Sequence, residues 1–150
     1  GLLSIDVDGN DYHIWESLSD HEPDLVVIEF NPTIPNDVLF IQDKSFDINQ
    51  GCSLIALVHL GKSKGYELVA TTKTNAFFVK NDKYPLLGIK NNFIGSIHQP
   101  AMDGRIFQGY DGTIHVVGMP NLWQRGTPLS SEDFQVLPKE QRVFGDAQKK

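Results

Sequence analysis

Apolar residues gather in short runs over the first half of the chain, and their spacing switches between strand-like and helix-like. Leu2-Leu3-Ser4-Ile5-Asp6-Val7 is brief and apolar, with β-branched Ile5 and Val7, which predicts a buried strand over 2–7. Gly9 breaks it. Asn10 or Asp11 is placed to cap the segment that follows, and Asp11 suits the positive end of a helix dipole. Ile14, Trp15 and Leu18 recur at helical spacing, which predicts a short helix over 11–19 facing a core. From Asp24 to Phe30 the run Leu25-Val26-Val27-Ile28 shows no alternation, which predicts a strand buried on both faces, as in a parallel sheet.

Pro32 and Pro35 stop that strand, because proline cannot donate to a ladder. Residues 36–50 follow no period and read as a long loop, a length that usually serves function or motion. Over 52–64, Leu54, Leu57, Val58 and Gly61 form one stripe with Ile55 beside it, and Gly65 is placed to end the helix. Residues 66–71 read as a third strand, 72–75 as a turn, and 76–80 as a fourth strand antiparallel to the third. The order over 2–80 is β-α-β-α-β-β, an α/β fold. Its opening strand, helix and strand form a βαβ unit, whose crossover is right-handed in about 98% of cases.

After Tyr84-Pro85 the pattern changes. Residues 105–108 and 113–117 flank Tyr110-Asp111-Gly112, and Asp-Gly is a strong hairpin signal. Pro120, Pro128 and Pro138 interrupt anything long beyond it. Phe134, Val136, Leu137, Val143 and Phe144 suggest a tail lying against the body, with Tyr110 and Trp123 packing it down. The expected division is an α/β domain over 1–84 and an accessory hairpin with an irregular tail over 85–150.

Composition narrows the function classes. At 150 residues with 40% hydrophobic and 21% charged content, the chain fits one ordinary globular domain with a real core. A net charge of −6 argues against a non-specific nucleic-acid footprint, which needs a basic face, and against a polybasic membrane patch. One cysteine, Cys52, permits no internal disulfide, so a reducing, cytoplasmic setting is the simpler expectation. No run approaches the ~18 apolar residues of a membrane span. With Gly1 in place of an initiating methionine and Leu2 already inside a strand-like run, a fragment is expected.

In open parallel sheets, ligands bind beyond the carboxyl ends of the strands. Asp6, Asp8 and Asn10 lie at that end of the first strand, with Asp11 just after them. Glu29 and Asn31 lie at that end of the second. If the strands are neighbours, the groups converge on one rim, with more acid than helix capping requires. Asp6-x-Asp8-x-Asn10 is not a calcium loop, since Asp11 and Ser17 stand where Gly and Glu are needed. His13, His21, His59, His98 and His115 lack metal-ligand spacing, and no metal is expected. Cys52 reads as a small buried residue.

Two family resemblances follow from these residues. The apolar strand ending in Asp6-Val7-Asp8-Gly9 resembles the opening of haloacid-dehalogenase-type phosphohydrolases. That resemblance implies Asp6 as nucleophile, Asp8 as general acid and a magnesium ion on the phosphate. Asn10 stands where that family has Thr, and Gly145-Asp146 would have to supply its later acidic motif.

The longer resemblance is carried by Leu3–Tyr12, Val26–Asn31, Lys64–Val69 and Asn75–Val79, in that order and spacing. Together they resemble the C-terminal half of FkbM-type methyltransferases, which use S-adenosylmethionine on a doubly wound, Rossmann-like sheet. The resemblance implies that 2–8 is the fourth strand, 25–30 the fifth, and 66–71 with 76–80 the closing hairpin. It implies Asp6 beside the transferred methyl group, Asp8-Gly9 as the following acid-Gly, and Glu29 and Asn31 on the side of a small hydroxylated acceptor. Asp6 and Asp8 are then the candidate catalytic residues, and Asn10, Asp11, Glu29 and Asn31 the candidate substrate-binding ones.

Of that family's pattern, the first three strands and the acidic residue that holds the ribose are missing. No Gly-x-Gly motif occurs in the chain, so the turn that cradles the cofactor is missing. The expectation is an inactive methyltransferase-like fragment that binds S-adenosylmethionine poorly or not at all. Its first strand then has a bare outer edge, and such an edge templates association. A homo-oligomer through strand 2–8, or a non-enzymatic self-associating module, is the corresponding expectation.

Overall fold

In a computed structural model, which describes residues 1–145, the apolar runs become β1 (Leu2–Ile5), α1 (Asp11–Ser17), β2 (Leu25–Glu29), α2 (Leu54–Ser63), β3 (Tyr66–Thr71) and β4 (Asn75–Lys80). The β-α-β-α-β-β order is the predicted one, and the class is α/β with a mixed four-stranded sheet.

The strand order is β1-β2-β4-β3. β1 and β2 pair in parallel, and β4 pairs antiparallel with both β2 and β3. The short turn after Thr71 can only join antiparallel neighbours, whereas the longer crossovers through α1 and α2 let β1, β2 and β3 run the same way. β4 therefore lies between β2 and β3.

Burial on both faces of this sheet is not what the structure holds. β2 reads half-buried, buried, half-buried, buried, half-buried, and β4 alternates likewise. Val26, Ile28, Ala76, Phe78, Tyr66, Leu68 and Ile5 lie in the core, while Leu25, Val27, Phe77 and Val79 stay half-buried on the other face. An unbroken apolar run marks what a strand can bury; which face is covered depends on where the helices pack. The first strand differs too. It ends at Ile5, and Leu2 (67% exposed) and Val7 (47% exposed) are not core residues, because β1 is a sheet edge with β2 as its one neighbour among the described residues.

Trp15 is the centre of the core. It is 1% exposed and packs against Phe78 with ring centroids 4.9 Å apart and edge-on to Tyr66 at 5.8 Å. α2 adds Leu54, Ala56, Leu57, Leu60 and Gly61, so the buried stripe takes in Ala56 and Leu60, while Val58 and Ile55 of the predicted stripe are half-buried. Ser53 caps it by accepting from the Ala56 N–H, and Gly65 ends it at φ +81°, a conformation that favours glycine.

After β4 come a 3-10 turn (Tyr84–Leu87) and α3 (Ile94–Ile97). Asn92 donates to the Glu67 carboxylate at 2.6 Å, Asn36 donates to the His98 carbonyl at 3.1 Å, and the Phe30 and His98 rings meet edge to face. These ties hold residues 85–101 to the sheet, so the first structural unit runs Gly1–Ala101 and the second starts at Met102.

In the second unit, β5 (Arg105–Gln108) and β6 (Ile114–Val117) form the predicted antiparallel hairpin. Asp111 shapes its turn by accepting from the Thr113 N–H and hydroxyl, both at 2.9 Å, and Gly112 takes φ +84°. The Gln135 side chain pairs with both the N–H and the carbonyl of Ile114, much as a neighbouring strand would. Tyr110 (93%), Val136 (80%) and Phe144 (81%) are exposed, and the Tyr110 and Phe144 rings lie 6.1 Å apart. Asp146 of the Gly145-Asp146 pair lies outside the described residues. No helix among the described residues is long and apolar enough to cross a membrane.

Candidate functional site

The parallel pairing sets the site. Leu3↔Val26 and Ile5↔Ile28 are partners, so Asp6, one residue past β1, comes opposite Glu29 at the end of β2. The chain then turns at Asp8, the one described residue other than glycine with positive φ (+55°). That turn brings a second carboxylate back, and oxygens of Asp6, Asp8 and Glu29 lie within 4.8 Å of one another. Asp6 and Asp8 are exposed and Glu29 is half-buried.

Three carboxylates so close cannot all ionise cheaply. The cost falls on Glu29, whose carboxyl is pushed up to about 7, first by burial and then by the charges of Asp6, Asp11 and Asp8. The polarity of the Asp8 backbone N–H works in the opposite sense. A carboxyl that titrates near neutrality is suited to accept a proton from a substrate hydroxyl and to return it. All-oxygen triads of this size also suit a hard divalent cation, although acidic groups gather on surfaces without one.

The other predicted site residues do different work. Asp11, 2% exposed, turns back onto the loop before it, where its carboxylate accepts from the Val7 N–H at 3.1 Å and the Gly9 N–H at 3.0 Å. Asn10 occupies the N-cap position of α1 without a capping hydrogen bond; its amide donates to the Ser45 carbonyl at 2.8 Å. The Asn31 oxygen accepts from the N–H and hydroxyl of Thr33, and its amide donates to the Gln50 carbonyl. Of the groups expected on the rim, Asp6, Asp8 and Glu29 meet. Asn10, Asp11 and Asn31 are committed to main-chain atoms.

A residue the pattern did not single out holds the wall of the site. Gln42, 2% exposed, accepts from the N–H groups of Gln50 and Gly51 at 2.8 Å and donates to the Ile48 carbonyl at 2.9 Å. Its own carbonyl is 2.8 Å from the His13 ring. The loop it organises lies so close to the acidic turn that a Cβ on Gly9 would meet the Ile48 carbonyl at 2.8 Å. A lone Gln in an aperiodic stretch carries no signal of burial, so nothing in the sequence marks it.

Cys52, 1% exposed, lies beneath this loop, and its thiol is pushed up to about 12 by burial and by the charge of Asp11. It is no nucleophile. Compared with protein families, curated proteins and solved structures, the chain finds no match.

Proposed function

We propose that residues 1–101 are the acceptor-side half of an O-methyltransferase domain of the S-adenosylmethionine-dependent kind. The carboxylate group at the end of β1 and β2 would take the proton of a small hydroxylated acceptor. The observation that carries this reading is the meeting of Asp6, Asp8 and Glu29 at the carboxyl end of a parallel strand pair, with the Glu29 carboxyl held near 7. In this role Glu29 accepts the hydroxyl proton, and Asp6 and Asp8 raise its basicity. The N–H of Asp8 steadies the carboxylate form, and the wall held by Gln42 limits how the acceptor enters.

The residues present do not by themselves make a cofactor site. The rim side chains are carboxylates, and no Gly-x-Gly turn offers backbone N–H groups to a carboxylate or ribose. No step is therefore assigned to S-adenosylmethionine here. The test is calorimetric titration of S-adenosylmethionine into this chain and into the longest gene product that contains it. Binding by the longer form, with methyl transfer lost in Glu29→Gln, supports the reading. No binding by either form overturns it.

A specific observation also favours a second reading, self-association through β1. Its outer edge has no strand partner among the described residues, and Leu2 on it is 67% exposed. Mass that rises with concentration, and falls to the monomer in Ser4→Pro, is the expected result. A monomer at all concentrations would rule it out.

A further inference from the structure

Residues 92–98 form a strap against β3. Asn92 ties one end to the Glu67 carboxylate, and the single helical turn of α3 carries Ile94 into the core. One turn of helix has no stability of its own, so the strap depends on what holds its ends. The far end is His98. Its N–H donates to the Ile94 carbonyl at 2.8 Å, and its carbonyl accepts from the Asn36 amide. Its ring stands edge-on to Phe30, with centroids 4.9 Å apart.

That ring is 4% exposed and poorly supplied with partners. Nδ1 lies 3.4 Å from the Thr71 hydroxyl, which is equally far from the Ile97 carbonyl. Nε2 has no partner among the described residues, nor has Oδ1 of Asn36. A neutral imidazole carries one N–H and can leave its other nitrogen bare, whereas imidazolium carries an N–H on both. Protonation therefore puts a charge and a stranded donor beside the Phe30 ring, both costly where water is excluded.

No neighbouring charge relieves that cost. The strap has no charged side chain between 92 and 97. The elements packed round the ring carry Glu29 next to Phe30, Asp37 next to Asn36, Glu67 on β3 and Lys73 in the turn after it. Glu67 accepts from Asn92, and Glu29 meets Asp6 and Asp8. Burial alone acts on the ring, holding its pKa below the ordinary 6.5.

We infer that His98 is a pH-sensitive latch: when neutral it closes the 92–98 strap over Phe30, and when protonated it lets the strap go. The open strap takes up the proton more readily than the closed one. Closure is therefore full above about 6.5 and is lost as pH falls below it. Release uncovers Phe30, Ile94 and Ile97 and frees the Asn36 side chain from the His98 carbonyl. The inference needs neither acceptor nor cofactor and stands apart from the proposed function.

The experiment is residue-resolved amide exchange at pH 5.5 and pH 7.5, corrected for intrinsic rates, on the native chain, His98→Phe, His98→Gln and Glu67→Gln. The amides of Ser96, Ile97 and His98 bond within the strap and report its opening. Their protection in the native chain should be about 5–10-fold lower at pH 5.5, with Phe78 in β4 still protected, so that the opening is local. His98→Phe keeps a ring against Phe30 but takes no proton, and His98→Gln stays neutral. Each should show protection equal within 2-fold at the two pH values, whatever its level. Glu67→Gln keeps an acceptor for Asn92 and should retain the native pH dependence. Equal strap protection at both pH values in the native chain overturns the inference. So does a pH dependence that persists in His98→Phe or vanishes in Glu67→Gln, or a His98 ring that titrates at 6.5 or above by NMR. Should neither His98 variant fold, the native chain decides: strap opening must follow the titration of the His98 ring, and opening at any other pH overturns the latch.

Discussion

Gly61 of α2 lies against the face of Phe78 of β4 so closely that a Cβ at position 61 would be 2.9 Å from the Phe78 ring and 3.1 Å from Trp15. Helix and sheet meet here with no room between them, and both rings are fully buried. Gly61→Ala gains about 1 kcal/mol of helix propensity but overpacks two rigid rings, at about 1–3 kcal/mol. A net loss of about 1 kcal/mol in urea unfolding is expected. Trp15→Ala, which leaves a cavity against the same ring, should cost about 3–5 kcal/mol.

Glu29 should titrate near neutral pH. Carbon-13 NMR of its carboxyl should give a midpoint close to 7, and Asp6→Asn or Asp8→Asn should each move it down by removing a neighbouring charge. A midpoint in the ordinary carboxylate range in the native chain would show that the three carboxylates do not meet.

The same shift links Glu29 to stability. Its folded value lies above its unfolded one, so the native state holds the extra proton between about 4.5 and about 7. Over that window stability falls as pH rises, and above it the full penalty of the charged form remains. Glu29→Gln removes that penalty and keeps the size and shape of the side chain. Thermal melts should show the variant raised over the native chain at pH 8 and nearly level with it at pH 5.

Gln42 should matter more than any other loop residue. Gln42→Leu removes the partner of the part-buried N–H groups of Gln50 and Gly51 and of the Ile48 carbonyl, at about 0.5–1.5 kcal/mol for each hydrogen bond lost. Denaturant unfolding should show a loss of at least about 2 kcal/mol, with amide exchange accelerated over residues 42–51.

Cys52 should be silent. Buried, with its thiol pushed up to about 12, it should not react with a thiol reagent at pH 8 in the native chain and should react fully in denaturant. Fast native labelling would mean that the loop over 31–53 opens readily.

What the sequence determined was local. Period and turn chemistry locate every element of the first half to within a few residues, because a strand or helix must show its buried side in its own spacing. The Asp-Gly hairpin and the Gly65 helix end were legible for the same reason. The acids at the ends of β1 and β2 were visible as candidates because strand ends are.

Tertiary structure decided the rest. Only the packing of α1, α2 and the 94–98 segment on one face shows that Val27 and Phe77 are half-covered while Val26 and Phe78 are sealed. Only the parallel register brings Asp6 to Glu29. Polar side chains after a strand, such as Asn10, Asp11 and Asn31, are ambiguous in one dimension; which groups they bond depends on how the chain turns back on them, for Asn10 on a loop 35 residues away. Gln42 was invisible for that reason. A buried amide in an aperiodic loop is defined wholly by what folds around it.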